Sequence, residues 1–159
     1  MEIERWLAVD HLDVERLLSE WRWLCPEKME LVARTAFADL FLRDGAGAVF
    51  WLNTTEGRVT KVSASEVEFR KALETKEKRE EWFAEPGVEA GAKRGLNPTP
   101  LQCIGFSIPV VFAESGASTP YIADLYEYVS FLGDLHRQIA SVPDGAKVEL
   151  RVQPPKPVS

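Results

Sequence analysis

Asp134, His136 and Arg137 carry side chains that could do acid–base chemistry, and they stand within four positions of one another. An aspartate that orients a histidine is a common way to build a general base. His136 is also one of only two histidines in the chain. A catalytic role would require the carboxylate and the imidazole to face each other.

The segment around these residues predicts a helix from Asp124 to Val142, because apolar residues recur at three- and four-residue steps. At about 100° per residue, His136 lies about 20° from Leu125, whereas Asp134 lies about 180° from it. Residues two apart on a helix do not face each other, so Asp134 cannot orient His136. We therefore expect His136 to be a buried, structural residue rather than a catalytic one.

Composition indicates a soluble globular protein. The chain has 159 residues, of which 45% are apolar and 28% are charged. No apolar run approaches the roughly 18 residues of a membrane span. The first residues alternate charged and apolar types, unlike a signal peptide, so we expect a cytoplasmic protein that does not bind a membrane.

The net charge of −6 argues against nucleic-acid binding, which normally needs a basic surface. It is compatible with a basic protein partner, because opposite potentials speed encounter. Many cytosolic proteins are mildly acidic, and charge alone does not separate these alternatives.

Motifs that would announce an enzyme or a cofactor site are missing from the sequence. The two cysteines, Cys25 and Cys103, form no C-x-x-C pair and have no histidine nearby, so we expect reduced thiols and no metal. A phosphate-binding loop, a G-x-S-x-G elbow and an H-E-x-x-H motif are also absent. We expect a binding protein without catalytic residues or cofactors.

The chain predicts an α+β fold, with an antiparallel sheet built on a three-stranded meander and helices packed mainly on one face. Glycine-bearing turns separate the three strands. We place one domain over residues 1–152 and a frayed tail over 153–159. The predicted elements are a helix from Asp10 or Asp13 to Leu24, strands 37–43, 48–54 and 58–64, a helix over 65–83, a loop over 84–100, a strand over 101–108 and the helix from Asp124.

Two surfaces of the meander are candidates for binding a partner. If Arg43 pairs with Ala48, one face of the sheet gathers aromatic residues around a carboxylate, as an interface centre would. The alternative is that another element covers this face, which would leave the acidic turns to meet a basic partner. The candidate partner-binding residues are Asp39, Phe41 and Phe50 on the face and Asp44 and Glu56 in the turns.

Three stretches taken together resemble a known family. They are "ADLFLRDGAGAVFWLNTTEGRV", "PLQCIGFSIP" and "FLGDLHRQIASVPDG". Their order and spacing are similar to the type VI secretion immunity proteins that neutralise an injected DNase toxin, in the domain that often follows a GAD-like domain. Ala38 stands where that family usually has glycine. Gly105, Pro109, Leu132 and His136 match positions that the resemblance implies are structural.

The resemblance implies a cytosolic binding protein that neutralises a bacterial toxin by steric and electrostatic blocking. Its partner would be a cognate toxin, a nuclease in the family it resembles, and it would bind no nucleic acid and no membrane. The resemblance supplies no catalytic residue. Two alternatives remain open: a general protein-interaction module without a toxin partner, and a small-ligand-binding protein with an unrecognised site.

Overall fold

A computed structural model describes residues 2–112, 116–143 and 153–158. The helices are α1 (Glu4–Leu7), α2 (Val14–Leu17), α3 (Glu66–Ala72), α4 (Lys76–Phe83), α5 (Glu85–Lys93) and α6 (Leu125–Ile139). The strands are β1 (Glu30–Arg34), β2 (Leu40–Arg43), β3 (Val49–Asn53), β4 (Arg58–Ser63), β5 (Gln102–Phe106) and β6 (Pro120–Asp124). The predicted domain end at residue 152, and the Asp144 and Gly145 positions of the third stretch, lie outside the described residues.

The predicted α+β class is confirmed. Strands β1 to β4 form one antiparallel sheet in sequence order, and β5 pairs antiparallel with β6 in a second, two-stranded sheet. The predicted meander is therefore present as β2–β4, and β1 extends it to four strands. Sequence patterning missed β1 and β6, in which buried and exposed positions do not alternate. None of the described helices is long and apolar enough to cross a membrane.

The turn between β2 and β3 shifts the register by one residue from the predicted one. Arg43 pairs with Val49 rather than with Ala48. The carboxylate of Asp44 accepts hydrogen bonds from the Ala46 and Ala48 N–H groups, both at 3.0 Å, and thereby closes a five-residue loop. A one-residue shift moves every side chain of β3 to the opposite face of the sheet.

Helices cover both faces of the four-stranded sheet, which corrects the prediction that they pack mainly on one. On one face, Leu40 and Leu42 pack in a cluster with residues of α2 and α6. On the other, Phe41 and Val49 pack in a cluster with residues of α1, α3 and α4. Strand β2 is buried on both faces of the sheet, since three consecutive residues in it are buried. A strand buried on both faces has apolar side chains on both, without alternation.

The region from Ser65 to Phe83, predicted as one helix, forms two. The Ser65 hydroxyl accepts the Glu68 N–H at 3.2 Å, which confirms the predicted helix start. The Thr75 hydroxyl accepts the Lys78 N–H at 3.3 Å and begins α4 in the same way. A second N-cap inside a charged helical run is the signal that the prediction overlooked.

Residues 84–100 were predicted to be a loop, but they contain helix α5. Glycines inside this helix do not form turns but allow other residues to pack closely against it. A Cβ atom on Gly87 would lie 3.2 Å from the Phe37 ring, and one on Gly91 would lie 3.2 Å from Ile104 Cδ1. A proline in the first turn of α5 is compatible with helix, because the N–H that it lacks has no partner there.

The start of the chain also differs from prediction. The first predicted helix is α-helical only over α2 and continues as turns to Leu24, while α1 was not predicted at all. At the other end, the described part of the tail forms two hydrogen bonds with β6. Val158 donates its N–H to the Ile122 carbonyl at 3.0 Å, and the Tyr121 hydroxyl donates to the Pro155 carbonyl at 2.7 Å.

Helix α6 lies close to the turns that follow α2, and Gly133 sets that distance. A Cβ atom on Gly133 would lie 2.7 Å from the backbone oxygen of Glu20 and 2.9 Å from the Trp21 ring. We expect Gly133→Ala to lower the free energy of unfolding by about 1–3 kcal/mol, because overpacking outweighs the gain of about 1 kcal/mol in helix propensity. Urea denaturation measures this.

Gly45→Ala is the matched control, since no atom lies within 4 Å of a Cβ at Gly45. It should change the free energy of unfolding by less than about 0.5 kcal/mol. An equally stable Gly133→Ala protein would show that α6 does not pack against the Glu20 backbone as described.

Candidate functional site

Of the three residues that first suggested catalysis, Asp134 and Arg137 form an ion pair and His136 is separate from it. Asp134 accepts hydrogen bonds from its helix neighbours Arg137 and Gln138, the latter at 3.2 Å. His136 turns the other way and is buried, with 5% of its surface exposed. Its ring packs against Trp21, with the ring centroids 5.8 Å apart. The prediction that Asp134 cannot orient His136 is confirmed.

His136 packs beneath the turn between β3 and β4. A Cβ atom on Gly57, whose φ is 71°, would lie 2.5 Å from His136 Nδ1, so only glycine fits there. Burial lowers the pKa of His136, and hydrogen bonding to the backbone of Thr54 and Thr55 opposes this. Nε2 is buried and has no hydrogen-bond partner among the described residues.

The meander face proposed as an interface is core. Phe41 is fully buried, and Asp39 is 9% exposed. Aromatic side chains of α3 and α4 cover Phe41, of which the Phe69 and Phe83 rings lie 4.9 and 5.2 Å away. Phe50 is half-buried against the opposite cluster. Phe41 is thus a packing residue and not a partner contact, which is the alternative that the sequence left open.

The acidic turns do not form one surface. Asp44 lies in the β2–β3 turn and Glu56 in the β3–β4 turn, which are at opposite ends of β3. The Asp44 carboxylate is also occupied in closing its own turn. Glu56 is exposed and forms an ion pair with Arg58.

The other residues singled out by the resemblance pack inside the protein. A Cβ atom on Gly105 would lie 2.7 Å from the Tyr128 ring, so a larger residue has no space. Pro109 is buried and its carbonyl accepts the Phe112 N–H at 3.1 Å. Leu132 is 4% exposed in the cluster beneath α6.

The structure brings Asp39 and Glu56 together in a surface groove that also holds Glu81. We call it the acidic groove. It has a volume of about 370 Å³ and lies between the start of β2, the β3–β4 turn and helices α4 and α5. Besides the three carboxylates, its lining includes five aromatic residues, Phe37, Trp51, Trp82, Phe83 and Phe106.

Asp39 forms the buried end of the acidic groove and is held by three hydrogen bonds. One carboxylate oxygen accepts the Trp51 indole N–H at 3.0 Å. The other accepts the backbone N–H and the hydroxyl of Thr54, both at 3.0 Å. The carboxylate therefore fixes both an aromatic wall of the groove and the β3–β4 turn.

No cation pairs with Asp39 among the described residues. Burial raises its pKa to about 6 from 3.8, while the bonds from Trp51 and Thr54 act to lower it. Near neutral pH the group is therefore a buried anion without a counter-charge. The carboxylates of Glu56 and Glu81 at the rim are exposed, and each forms an ion pair with a nearby exposed cation.

Chemically, the acidic groove can accept a cation. A guanidinium or ammonium group entering it would meet the Asp39 carboxylate and the faces of aromatic rings, both of which attract positive charge. Among the described residues, no group of three or more His, Cys, Asp and Glu side chains is placed to hold a metal ion.

Sequence reasoning found Asp39 and Glu56 but missed the groove's other walls. Trp51 was assigned to the opposite face because of the one-residue register shift. Glu81 and Trp82 belong to the helix predicted over 65–83, and no local pattern places that helix beside Asp39. The usable signal was the Asp44 turn, which fixes the register and so places Trp51 beside Phe41.

Comparison of the chain with protein-family models, curated proteins and solved structures gave no match. The resemblance drawn from the three sequence stretches therefore stays a prediction.

Asp39 gives the first pH prediction. Because the folded protein keeps this proton to a higher pH than the unfolded chain, stability is lost as pH rises from 3.8 to about 6. We expect the free energy of unfolding of wild type, taken relative to that of Asp39→Asn, to fall by roughly 2–3 kcal/mol over that pH range. Urea denaturation at a series of pH values checks this, and a constant difference would contradict the burial of the carboxylate.

His136 gives a prediction of opposite sign. Its pKa is lowered in the folded state, so stability is lost as pH falls below 6.5 towards the folded pKa. His136→Ala should remove this loss and cost about 1–3 kcal/mol at slightly alkaline pH. Exposed His11→Ala is the control for unfolding measurements and should shift stability by less than about 0.5 kcal/mol.

Proposed function

We propose that this chain is a cytosolic binding protein that neutralises a bacterial toxin, in the manner of type VI secretion immunity proteins. The observation that carries the proposal is the acidic groove, where a buried carboxylate, with no cation partner in the described part of the chain, lies beside aromatic walls. The three stretches that resemble the immunity family support it, since two of them contribute groove residues.

The groove suits a basic side chain of the partner. Asp39 is ionised above its pKa of about 6 and is desolvated, so an incoming cation regains Coulomb energy that the free protein lacks. Trp51 and Phe37 supply apolar area around it. Arginine and aromatic residues in buried pockets are the usual centres of tight interfaces.

The rim of the groove favours encounter with a basic surface. Glu56 and Glu81 are exposed, and their ion pairs are of the weak, exposed kind that a partner can replace. The net charge of −6 adds a long-range attraction to a cationic toxin. Blocking would be steric and electrostatic, because a basic toxin residue held in the groove is covered and paired with a carboxylate and so cannot reach the toxin's own substrate.

Ala38 gives a further link to the resemblance. Its φ is 74°, in the region that favours glycine, and it stands where the family usually has glycine. The turn from Thr35 to Asp39 that needs this conformation is closed by two backbone hydrogen bonds. The same turn positions Asp39 at the groove.

The test uses the protein encoded by the neighbouring open reading frame as the candidate toxin. Co-expression of this chain should protect cells from it, and the purified proteins should form a complex. Glu56→Gln with Glu81→Gln should slow association by up to about tenfold and reduce its salt dependence, because both changes remove rim charge.

Glu27→Gln with Glu74→Gln is the matched control, since it removes the same charge from exposed positions outside the groove. It should leave the association rate nearly unchanged. Equal effects of the two pairs would exclude the groove as the binding site. Failure to protect cells or to bind the neighbouring gene product would contradict toxin neutralisation itself.

A further inference from the structure

A second pocket, lined by positively charged groups, lies away from the acidic groove. We call it the basic pocket. It has a volume of about 340 Å³ and forms where α1, the end of β1 and the segment before β5 meet. Its lining residues are Arg5, Ala8, His11, Arg34 and Pro100.

Arg34 lies at the buried end of this pocket. Its side chain belongs to the last residue of β1 and is 2% exposed. One terminal nitrogen donates to the Gln102 carbonyl, and the guanidinium carbon lies 5.1 Å from the centre of the Trp6 ring. Nε has no hydrogen-bond partner among the described residues. A buried guanidinium normally uses its donors fully, because each unmet one costs desolvation.

Arg5 brings a second guanidinium to the same ring. Its guanidinium carbon lies 4.6 Å from the Trp6 centroid, and a terminal nitrogen donates to the Pro98 carbonyl. Neither Arg5 nor Arg34 forms an ion pair among the described residues. Burial, and then the charge of Arg5, lower the pKa of Arg34 to about 10.

His11 completes the rim. It is exposed, and its Nε2 lies 3.1 Å from the Pro100 carbonyl, which assigns the proton of the neutral ring to Nε2. Two guanidiniums and an imidazole thus surround one opening, in a protein whose net charge is −6. Packing of Arg34 on Trp6 explains its position but leaves Nε and the charge itself uncompensated.

We propose that the basic pocket binds a small oxyanion, a carboxylate or phosphate group, between the buried Arg34 and the exposed Arg5 and His11. Such a group supplies the acceptor that Nε lacks and the negative charge that the two guanidiniums lack. Planar guanidiniums bind both anion types through paired hydrogen bonds, and a buried arginine holds its fork in a fixed orientation. This inference does not depend on the toxin partner or on the acidic groove.

The test titrates the full chain with inorganic phosphate and, separately, with acetate, at constant ionic strength set by chloride. In nitrogen–proton NMR spectra, the Arg34 Nε–H signal should shift saturably with at least one anion. The same anion should raise the melting temperature, because it binds only the folded state. The anion that binds more tightly identifies the phosphate or carboxylate class.

Variants separate a site from a general salt effect. Arg5→Gln with His11→Gln changes only exposed rim residues and should weaken binding by at least about tenfold. Arg58→Gln removes an exposed arginine outside the pocket and should leave binding unchanged. The proposal is overturned if neither anion shifts the Arg34 signal saturably, or if the rim variant binds as well as wild type.

Discussion

The turn between β3 and β4 is held between two buried titratable side chains, and the site depends on this arrangement. From one side, Asp39 accepts the backbone N–H and the hydroxyl of Thr54. From the other, His136 packs closely against Gly57, where a Cβ atom would lie 2.5 Å from the His136 Nδ1 atom. Burial favours the neutral form of both groups, so it raises the pKa of the carboxyl and lowers that of the imidazole. This turn contains Glu56, and Asp39 also accepts the Trp51 indole N–H. The hydrogen bonds of Asp39 therefore stabilise the turn and also position two residues that line the acidic groove.

Features of the fold that depend on residues close together in the sequence could be predicted, whereas features that depend on contacts between distant residues could not. The helix starts at Ser65 and Asp124 were predicted because an N-cap is a local pattern, in which a side chain accepts the backbone N–H of the residue three positions later. The burial of His136 was predicted because helical periodicity is also local. Helix α5 was not, because its glycines are required by Phe37 and Ile104, which are distant in sequence. The β2–β3 register failed by one residue for the same kind of reason, since the Asp44 carboxylate and not the turn length sets it.

The candidate site was half visible in the sequence. Asp39 and Glu56 were selected for their charge, but Phe41 was selected with them and is buried within an aromatic cluster. Nothing in the local pattern could place Glu81 opposite Glu56, because helix α4 comes to the groove only through packing in the cluster around Phe41. Asp39 and Arg34 are two buried charged groups that form no ion pair within residues 2–112, 116–143 and 153–158, and only the folded structure reveals them. Each costs stability in the free protein and gains from an oppositely charged ligand.

The pKa of Asp39 is the most direct test of the claim that the acidic groove receives a positive charge. It is measured from the carboxyl carbon of Asp39 by NMR, in the free protein and in the saturated complex with the neighbouring gene product. We expect a pKa of about 6 in the free protein and a clear fall on binding, since an adjacent cation favours the ionised form. A complex in which the pKa of Asp39 stays at about 6, or rises, would contradict it.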